Sequence, residues 1–277
     1  MASQAYQAGV TLLSPFGPQG PPVTATPIIF SQTPLAEHYS SYFALVLDNL
    51  LTPAECAALQ ASVGNEWQSM HKGEAFRECQ HIYAVSPEWS SSLFERISMY
   101  LPEEVKALRK GSELAENIVG SSNLKANVGA KKTVWRLKEA NEKMSFLRYR
   151  PGHFFKPHCD GLYTRPGKDE KSFLTCQIYL SDAPEAVDEH TPAGGETRFW
   201  PSQEGKRHKP RSGAADDREM KETPFLDIKP KIGRALVFQQ RMLWHSGQEV
   251  KMGEKFTVRL DLMYERHFEK FSNLPIS

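Results

Sequence analysis

The 277-residue chain carries 34 Lys and Arg side chains against 33 Asp and Glu, which gives a formal net charge of +1 with neutral histidines. This balance creates no overall field to attract nucleic acid or an anionic membrane, so neither is expected as a partner. The chain has no apolar run of about 18 residues and no basic-then-apolar secretory leader. Its four cysteines form no C-x-x-C pair. We therefore expect an intracellular, cytoplasmic protein with reduced thiols and a small-molecule ligand.

The region up to residue 38 is rich in Pro, Gly, Ser, Thr and Gln and has no sustained hydrophobic period. This composition predicts an extended or partly disordered arm over residues 1–38. A single domain is predicted over residues 39–277, and it begins with a strand at residues 43–51.

Two helices are predicted next. Thr52 has the place of an N-cap, Pro53 stands at the first helical position and Glu55 completes a capping box, so a helix begins here and continues to about Trp67. A second helix is predicted over residues 86–100. The mixed, charged segment 103–142 gives no clear assignment, and we expect the region 52–142 to act as helical support.

Short apolar strands separated by Gly and Pro dominate the chain after Lys143. This pattern predicts a mainly β fold with flanking α-helices, whose core is an antiparallel jelly roll over about residues 143–266. The predicted strands are 144–150, 153–160, 172–180, 196–200, 225–230, 234–240 and 255–264. Two polar insertions, 183–193 and 202–223, are predicted surface loops and candidate lids.

His158 and Asp160 form an H-x-D pair on one of these strands. Alternate residues of a strand point to the same side, so this imidazole and carboxylate can converge on one metal ion. His245, after a later strand, is the best third ligand, because two histidines and one carboxylate match the facial triad of non-haem Fe(II) sites. Each residue also has a structural interpretation: His245 as a hydrogen-bonded histidine near the core, and Asp160 as a cap for the turn at Gly161.

The last predicted strand places Lys255, Thr257 and Arg259 on one face. These residues could form a solvated edge. Inside a jelly roll, however, a buried cation needs a partner, and a dicarboxylate co-substrate would provide one. Thr257 or Thr175 and the phenol of Tyr149 could add hydrogen bonds to it.

Several sequence blocks occur together in a fixed order. They are LDNLLTPAEC, RYRPGHFFKPHCD, TCQIYLSD, GGETRF, the P-x-x-G-x-A-L-x-F pattern of residues 230–238 and the H-S-G-x-x-V-x-x-G-x-K pattern of residues 245–255. In these blocks the chain resembles the Fe(II)/2-oxoglutarate-dependent dioxygenases, specifically their prolyl 4-hydroxylase-like branch, over residues 43–264.

The resemblance implies a double-stranded β-helix and a set of site residues. It implies that the iron ligands and catalytic centre are His158, Asp160 and His245. It also implies that Tyr149 and Thr175 line the co-substrate pocket. Lys255 stands at the place of the basic residue that binds the distal carboxylate of 2-oxoglutarate, and Arg259 is the alternative for that role. The implied cofactors are Fe(II), with 2-oxoglutarate and O₂ as co-substrates and ascorbate as a reductant.

The resemblance implies oxidative decarboxylation of 2-oxoglutarate coupled to hydroxylation or a related C–H oxidation, and we expect the substrate to be a small metabolite. An intracellular protein prolyl residue is the alternative substrate. Residues that could shape the substrate mouth, or be ordinary rim residues, are Tyr163, Arg165, Arg241 and Trp244. Two hypotheses of other classes stay open: a non-catalytic metal-binding sensor or scaffold, and an interaction module that uses the loop 202–223.

Overall fold

The computed structural model describes residues 21–72, 76–125, 127–128, 131–183, 193–202 and 223–270. Most of the two predicted lid segments, and with them the loop of the interaction-module hypothesis, lies outside the described residues. The strands are β1 (Thr24–Pro27), β2 (Ala44–Asp48), β3 (Gln68–Lys72), β4 (Arg77–Val85), β5 (Ala107–Arg109), β6 (Asn127–Val128), β7 (Lys131–Ala140), β8 (Lys143–Tyr149), β9 (Phe154–His158), β10 (Glu170–Tyr179), β11 (Thr197–Phe199), β12 (Leu226–Ile228), β13 (Ala235–Gln239), β14 (His245–Gly247) and β15 (Lys255–Lys270). The helices are α1 (Ala36–Tyr39), α2 (Pro53–Ser62), α3 (Pro87–Ser98), α4 (Glu103–Lys106), α5 (Glu113–Val119) and α6 (Ser121–Leu124), with one 3-10 turn at Phe30–Gln32.

The strands pair antiparallel in one curled sheet. Its order is β1-β2-β13-β10-β15-β8-β4-β9-β14-β11-β12, with β3 beside β4 and β7 beside β15. The long strand β15 is central, because its first part pairs with β8 and its second part with β7, while β10 pairs along its other edge. Side chains of β8, β10 and β15 line one pocket together with side chains of β9, β11 and β14. The two halves of the sheet therefore face each other, which confirms the predicted jelly roll.

Helix α2 begins at the predicted capping box. The Thr52 hydroxyl accepts a hydrogen bond from the Glu55 backbone N–H at 3.3 Å, and the Glu55 carboxylate accepts one from the Thr52 N–H at 2.9 Å. Glu55 also forms a buried ion pair with Arg96 of α3, with 2.6 Å between Oε1 and Nη2. One carboxylate thus caps α2 and ties it to α3. The helix ends at Ser62, earlier than the predicted end at Trp67, since Gly64 adopts a positive φ of 68°.

Helix α3 lies within the predicted range of residues 86–100. Ser86 is its N-cap and accepts from the Trp89 N–H at 3.2 Å. Trp89, Leu93 and Ile97 form the buried stripe, which packs in the same core as residues of α2 and of the central strands. None of the described helices is long and apolar enough to cross a bilayer.

The expectation that region 52–142 is helical support was incomplete. Strand β4 pairs with β8, and β7 pairs with nine residues of β15, so both extend the sheet itself. Strand β4 alternates buried Cys79 and His81 with polar or exposed neighbours, and β7 is mostly charged. Such half-exposed strands lack the apolar runs by which the other strands were identified.

The described part of the predicted arm packs against the domain. Strand β1 pairs with β2, and Phe30 and Leu35 are buried in a cluster with Phe199 and Phe238. Residues 21–38 therefore cover one end of the sheet, and residues 1–20 lie outside the described part of the chain.

The cap of α2 gives a stability prediction. Thr52→Ala removes the hydroxyl that accepts from the Glu55 N–H, and we expect it to lower the free energy of unfolding by about 1 kcal/mol. Urea unfolding measures this loss. Thr26→Ala, on the exposed strand β1, is the control and should change the free energy by less than about 0.5 kcal/mol. Equal effects of the two substitutions would contradict the role of the cap.

Candidate metal centre and its pocket

The pairing of β9 with β14 places two histidines side by side. His158 ends β9, His245 begins β14, and the two are register partners. Asp160 follows two residues after His158, where the chain leaves the strand. One ligand atom from each of the three side chains lies within 4.8 Å of the others. The sheet register thus brings together residues that are far apart in the sequence.

Both imidazoles are oriented by backbone hydrogen bonds. Nδ1 of His158 lies 2.8 Å from the Lys156 carbonyl oxygen, and Nδ1 of His245 lies 3.1 Å from the Leu243 carbonyl oxygen. A carbonyl can only accept, so each Nδ1 carries the proton and each Nε2 keeps a lone pair. Burial and the neighbouring His245 lower the pKa of His158 to about 3, and burial lowers the pKa of His245. Both rings are therefore neutral near pH 7, as metal ligands must be.

The Asp160 carboxylate is held in its ionised form. Burial alone would raise its pKa, but the charge of Arg259, the two imidazoles and a hydrogen bond from Thr175 together lower it. Thr175 Oγ1 donates to Asp160 Oδ2 at 2.6 Å, and Arg259 Nε lies 3.5 Å from the same oxygen. Oδ1, which is free of these two contacts, faces His158 Nε2 at 3.8 Å.

The three side chains fit a divalent transition metal. The Nε2 atoms of His158 and His245 each lie 3.8 Å from an oxygen of Asp160. These three side chains are close enough together to hold one divalent ion after small side-chain movements. Two neutral imidazoles and one carboxylate form the donor set of a non-haem Fe(II) facial triad.

A pocket of about 600 Å³, including the open solvent at its mouth, lies beside these ligands. Its polar wall contains Lys255 and Arg259 from β15, which differ in their surroundings. Arg259 contacts Asp160 and also donates from Nη2 to Asp261 Oδ1 at 2.9 Å. Arg259 is therefore neutralised by two carboxylates.

Lys255 has no such partner. It is 3 % exposed, and no Asp or Glu carboxylate of the described residues lies within ion-pair distance of Nζ. Nζ lies over the rings of Tyr149 and Tyr179, at 5.2 and 5.6 Å from their centroids. Burial lowers the pKa of Lys255 to about 8, although Glu196 opposes this shift. The structure thus presents at the pocket wall a buried cation that has no carboxylate within ion-pair distance among the described residues.

Two further predicted pocket residues have distinct surroundings. Thr257, between Lys255 and Arg259, is 1 % exposed, and its hydroxyl has no hydrogen-bond partner among the described residues. Tyr149 lines the pocket, and burial raises the pKa of its phenol. By contrast, the hydroxyl of Thr175 is directed to Asp160, which makes it a support for the carboxylate.

The four predicted substrate contacts do not line this pocket, and each has another environment. Arg165 forms ion pairs with Glu139, Glu142 and Glu170. Arg241 packs over Gly120 and donates to the Asn117 carbonyl oxygen at 3.3 Å.

Tyr163 is 38 % exposed, and its backbone N–H donates to the Ser172 hydroxyl. Trp244 immediately precedes His245, and its backbone N–H donates to the Tyr39 phenol. None of these four positions lines the pocket that the structure describes, and their role at the substrate mouth stays a prediction.

The pocket residues that the sequence analysis missed include Arg77, Gln177, Thr197 and Ser246. The Thr197 hydroxyl accepts from Gln177 Nε2 at 2.9 Å and from the Tyr179 phenol at 2.7 Å, so its own proton is free to be donated. The Ser246 hydroxyl accepts from Trp200 Nε1 and Gln248 Nε2, both at 2.7 Å, so its own proton is also free to be donated. Thr197 lies in the GGETRF block, which is the sequence feature that could have identified it as a pocket residue.

Comparison with known proteins agrees with this site. The family model of the 2OG-Fe(II) oxygenase superfamily matches residues 144–260, which include all three candidate ligands. No curated protein matches the chain.

Solved structures that are similar to this chain include three proteins. One is a viral collagen prolyl hydroxylase from Paramecium Bursaria Chlorella virus-1, with 18 % identity, a TM-score of 0.42 and coverage of 80 % of this chain and 96 % of that one. Another is a prolyl-4-hydroxylase from Pseudomonas putida, with 18 % identity, a TM-score of 0.42 and coverage of 82 % and 94 %. The third is HygX from Streptomyces hygroscopicus with nickel and 2-oxoglutarate bound, with 14 % identity, a TM-score of 0.45 and coverage of 86 % and 84 %.

The family match covers the strands that carry the two histidines, the carboxylate and the buried lysine. Residues 144–260 match the 2OG-Fe(II) oxygenase superfamily, which supports a dioxygenase that uses Fe(II) and 2-oxoglutarate.

Proposed function

We propose that His158, Asp160 and His245 hold Fe(II) and that Lys255 binds the distal carboxylate of 2-oxoglutarate. The observation that carries the second assignment is the buried, unpaired ammonium group of Lys255 in the pocket wall. A buried cation is costly unless it is paired, and a carboxylate of the co-substrate supplies the pair. Arg259 has two carboxylate partners already, so it needs no ligand charge.

The hydroxyl groups around Lys255 support the same assignment. Thr197 accepts two hydrogen bonds and keeps a proton to donate, and Thr257 has a buried hydroxyl on the same strand face as Lys255. A carboxylate accepts several hydrogen bonds at once. We therefore place the distal carboxylate between the ammonium of Lys255 and these hydroxyls, with the phenol of Tyr149 beside them.

Arg259 and Thr175 then act on the metal ligand. Both contact Oδ2 of Asp160, which leaves Oδ1 toward His158 and fixes the plane of the carboxylate. Groups that orient a metal ligand typically change metal affinity by about 10–100-fold when they are removed.

When bound, Fe(II) supplies the oxidative chemistry that couples decarboxylation of 2-oxoglutarate to oxidation of a substrate C–H bond. The contribution of this chain is to hold the ligands, to pair the co-substrate charge and to exclude water from the apolar side of the pocket. We propose hydroxylation or a related C–H oxidation of a small metabolite, with ascorbate as a reductant of the iron, and keep a protein prolyl side chain as the alternative substrate.

The roles of Lys255 and Arg259 are separable by co-substrate binding. With saturating Mn(II) in place of iron, and without O₂, we expect Lys255→Met to weaken 2-oxoglutarate binding by about 10–100-fold, since a charge-assisted hydrogen bond is lost. Arg259→Met should weaken it by less than about threefold once the metal site is full, because Arg259 is paired within the protein. Calorimetric titration measures the 2-oxoglutarate affinity of both variants and of the wild type. A larger loss in Arg259→Met than in Lys255→Met would reverse the assignment.

The affinity of the metal-loaded protein for 2-oxoglutarate should depend on pH. The free Lys255 has a pKa of about 8, and the bound carboxylate favours the protonated amine and so raises that pKa. Affinity is therefore constant below pH 8 and falls as the pH rises from 8 toward the pKa of the complex, by up to about tenfold per pH unit. Titrations from pH 6.5 to 9.5 test this, with Lys255→Arg as the control that keeps its charge and should show no such fall. A flat profile in the wild type would contradict the role of Lys255.

The two supports of Asp160 give a prediction for the metal alone. We expect Arg259→Met and Thr175→Val each to weaken Mn(II) binding by about 10–100-fold in the absence of 2-oxoglutarate. Thr257→Val is the matched control, since its hydroxyl lies on the same strand as Arg259 but contacts no metal ligand. Equal Mn(II) affinity in all four proteins, measured by electron paramagnetic resonance of free Mn(II), would show that these contacts do not position the carboxylate.

A further inference from the structure

Arg77 is a third cation in the pocket besides Lys255 and Arg259, and neither the metal centre nor the proposed co-substrate site gives its charge a role. It begins β4, and its register partner on β9 is Phe155. The guanidinium carbon lies 4.2 Å from the centre of the Phe155 ring, and this ring stacks on His158 with 3.6 Å between centroids and an interplanar angle of 21°. One aromatic ring thus contacts both Arg77 and a candidate metal ligand.

Arg77 has no carboxylate partner among the described residues. Its Nε donates to the Cys79 thiol sulfur at 3.2 Å, which is a weak acceptor. Asp160 is the one carboxylate among the described side chains that line the pocket, and it is held by Arg259 and Thr175. The Tyr149 phenol is a further hydrogen-bonding partner of Arg77. A guanidinium carries five N–H donors and is ionised at every physiological pH, so Arg77 keeps donors for a ligand.

When both proposed ligands are bound, Arg259 contacts Asp160 and Asp261, and the co-substrate carboxylate supplies a partner for Lys255. Among the described residues no carboxylate lies within ion-pair distance of Arg77, so its guanidinium can take a further anion.

The surface next to Arg77 is aromatic. Tyr83, on the same strand, lines the pocket and is 49 % exposed, and Phe76, which precedes Arg77, packs edge-to-face on Phe155. Exposed aromatic rings beside a guanidinium suit a ligand with an apolar body and one anionic group.

We propose that Arg77 binds an anionic oxygen group, a carboxylate or a phosphate ester, of the primary substrate and holds its apolar body against Phe155 and Tyr83. This proposal rests on the proposed function, because it assumes that 2-oxoglutarate occupies Lys255. It makes Arg77 a specificity residue: acids are accepted, and their neutral amides are rejected. A bidentate contact from guanidinium to carboxylate would also fix the distance of the substrate from the metal ligands.

Direct binding of small probes tests the proposal without a known substrate. The full chain is loaded with Mn(II) and saturated with 2-oxoglutarate in the absence of O₂, so that the metal and Lys255 are occupied. Calorimetry then follows titration with benzoate, phenyl phosphate and benzamide. We expect benzoate or phenyl phosphate to bind at least tenfold more tightly than benzamide, and the stronger of the two identifies the anionic group.

Substitutions of Arg77 test whether this residue causes the preference for the anionic probes. Arg77→Gln should remove the preference for the anions while 2-oxoglutarate still binds, and Arg77→Lys should keep part of it. Lys143→Gln is the matched control, because Lys143 lies over the Tyr83 ring at 4.5 Å but does not line the pocket. It should leave the preference unchanged.

The possible failures can be told apart. If the wild type does not bind 2-oxoglutarate in the first step, the proposed function fails. If 2-oxoglutarate binds but the three probes bind equally, or if Arg77→Gln keeps the preference, the role of Arg77 is overturned. Loss of 2-oxoglutarate binding in a folded Arg77→Gln protein, with Arg77→Lys restoring it, would assign Arg77 to the co-substrate and would also overturn the proposal.

Discussion

The antiparallel pairing of β9 with β14 is the constraint on which the site depends. It sets His158 opposite His245 and lets the chain leave β9 at a point where Asp160 turns toward both rings. Backbone carbonyls hold the Nδ1 proton of each ring, and Arg259 keeps the buried carboxylate ionised. Burying one carboxylate beside two neutral imidazoles is unfavourable before any metal binds. Thr175 of β10 and Arg259 of β15 offset this by contacting Asp160.

The cations of the pocket follow from the same arrangement. Strand β15 carries Lys255 and Arg259 on one face, but among the described residues only Arg259 of the two lies within ion-pair distance of a carboxylate. In our proposal the anion that pairs with Lys255 is 2-oxoglutarate, the dicarboxylate that the superfamily uses. Arg77 of β4 likewise has no carboxylate partner among the described residues, and the Phe155 ring contacts both Arg77 and His158. Two uncompensated cations in one pocket are consistent with two anionic ligands, the co-substrate and the substrate.

Sequence reasoning predicted what depends on local patterns. The capping box at Thr52, the short strands after Lys143 and the H-x-D pair are local signals, and the structure contains each of them. It missed β4 and β7, because both are half-exposed and charged, and it missed Arg77 because the pairing of β4 with β9 has no local signature. The ion pairs of Arg165 with Glu139, Glu142 and Glu170 could not be predicted for a related reason, because their formation depends on the fold and not on a local pattern. The choice between Lys255 and Arg259 likewise required the position of Asp261 relative to Arg259, which only side-chain geometry gives.

The central claim is that His158, Asp160 and His245 form an iron site that turns over 2-oxoglutarate. The most direct measurement is succinate release by the purified metal-free protein supplied with 2-oxoglutarate and O₂, with and without Fe(II). The account predicts release that requires Fe(II) and is lost in His158→Ala, while His267→Ala, a half-exposed histidine outside the pocket, behaves as the wild type. Equal succinate release by His158→Ala and the wild type, or release by the wild type that is independent of Fe(II), would contradict it.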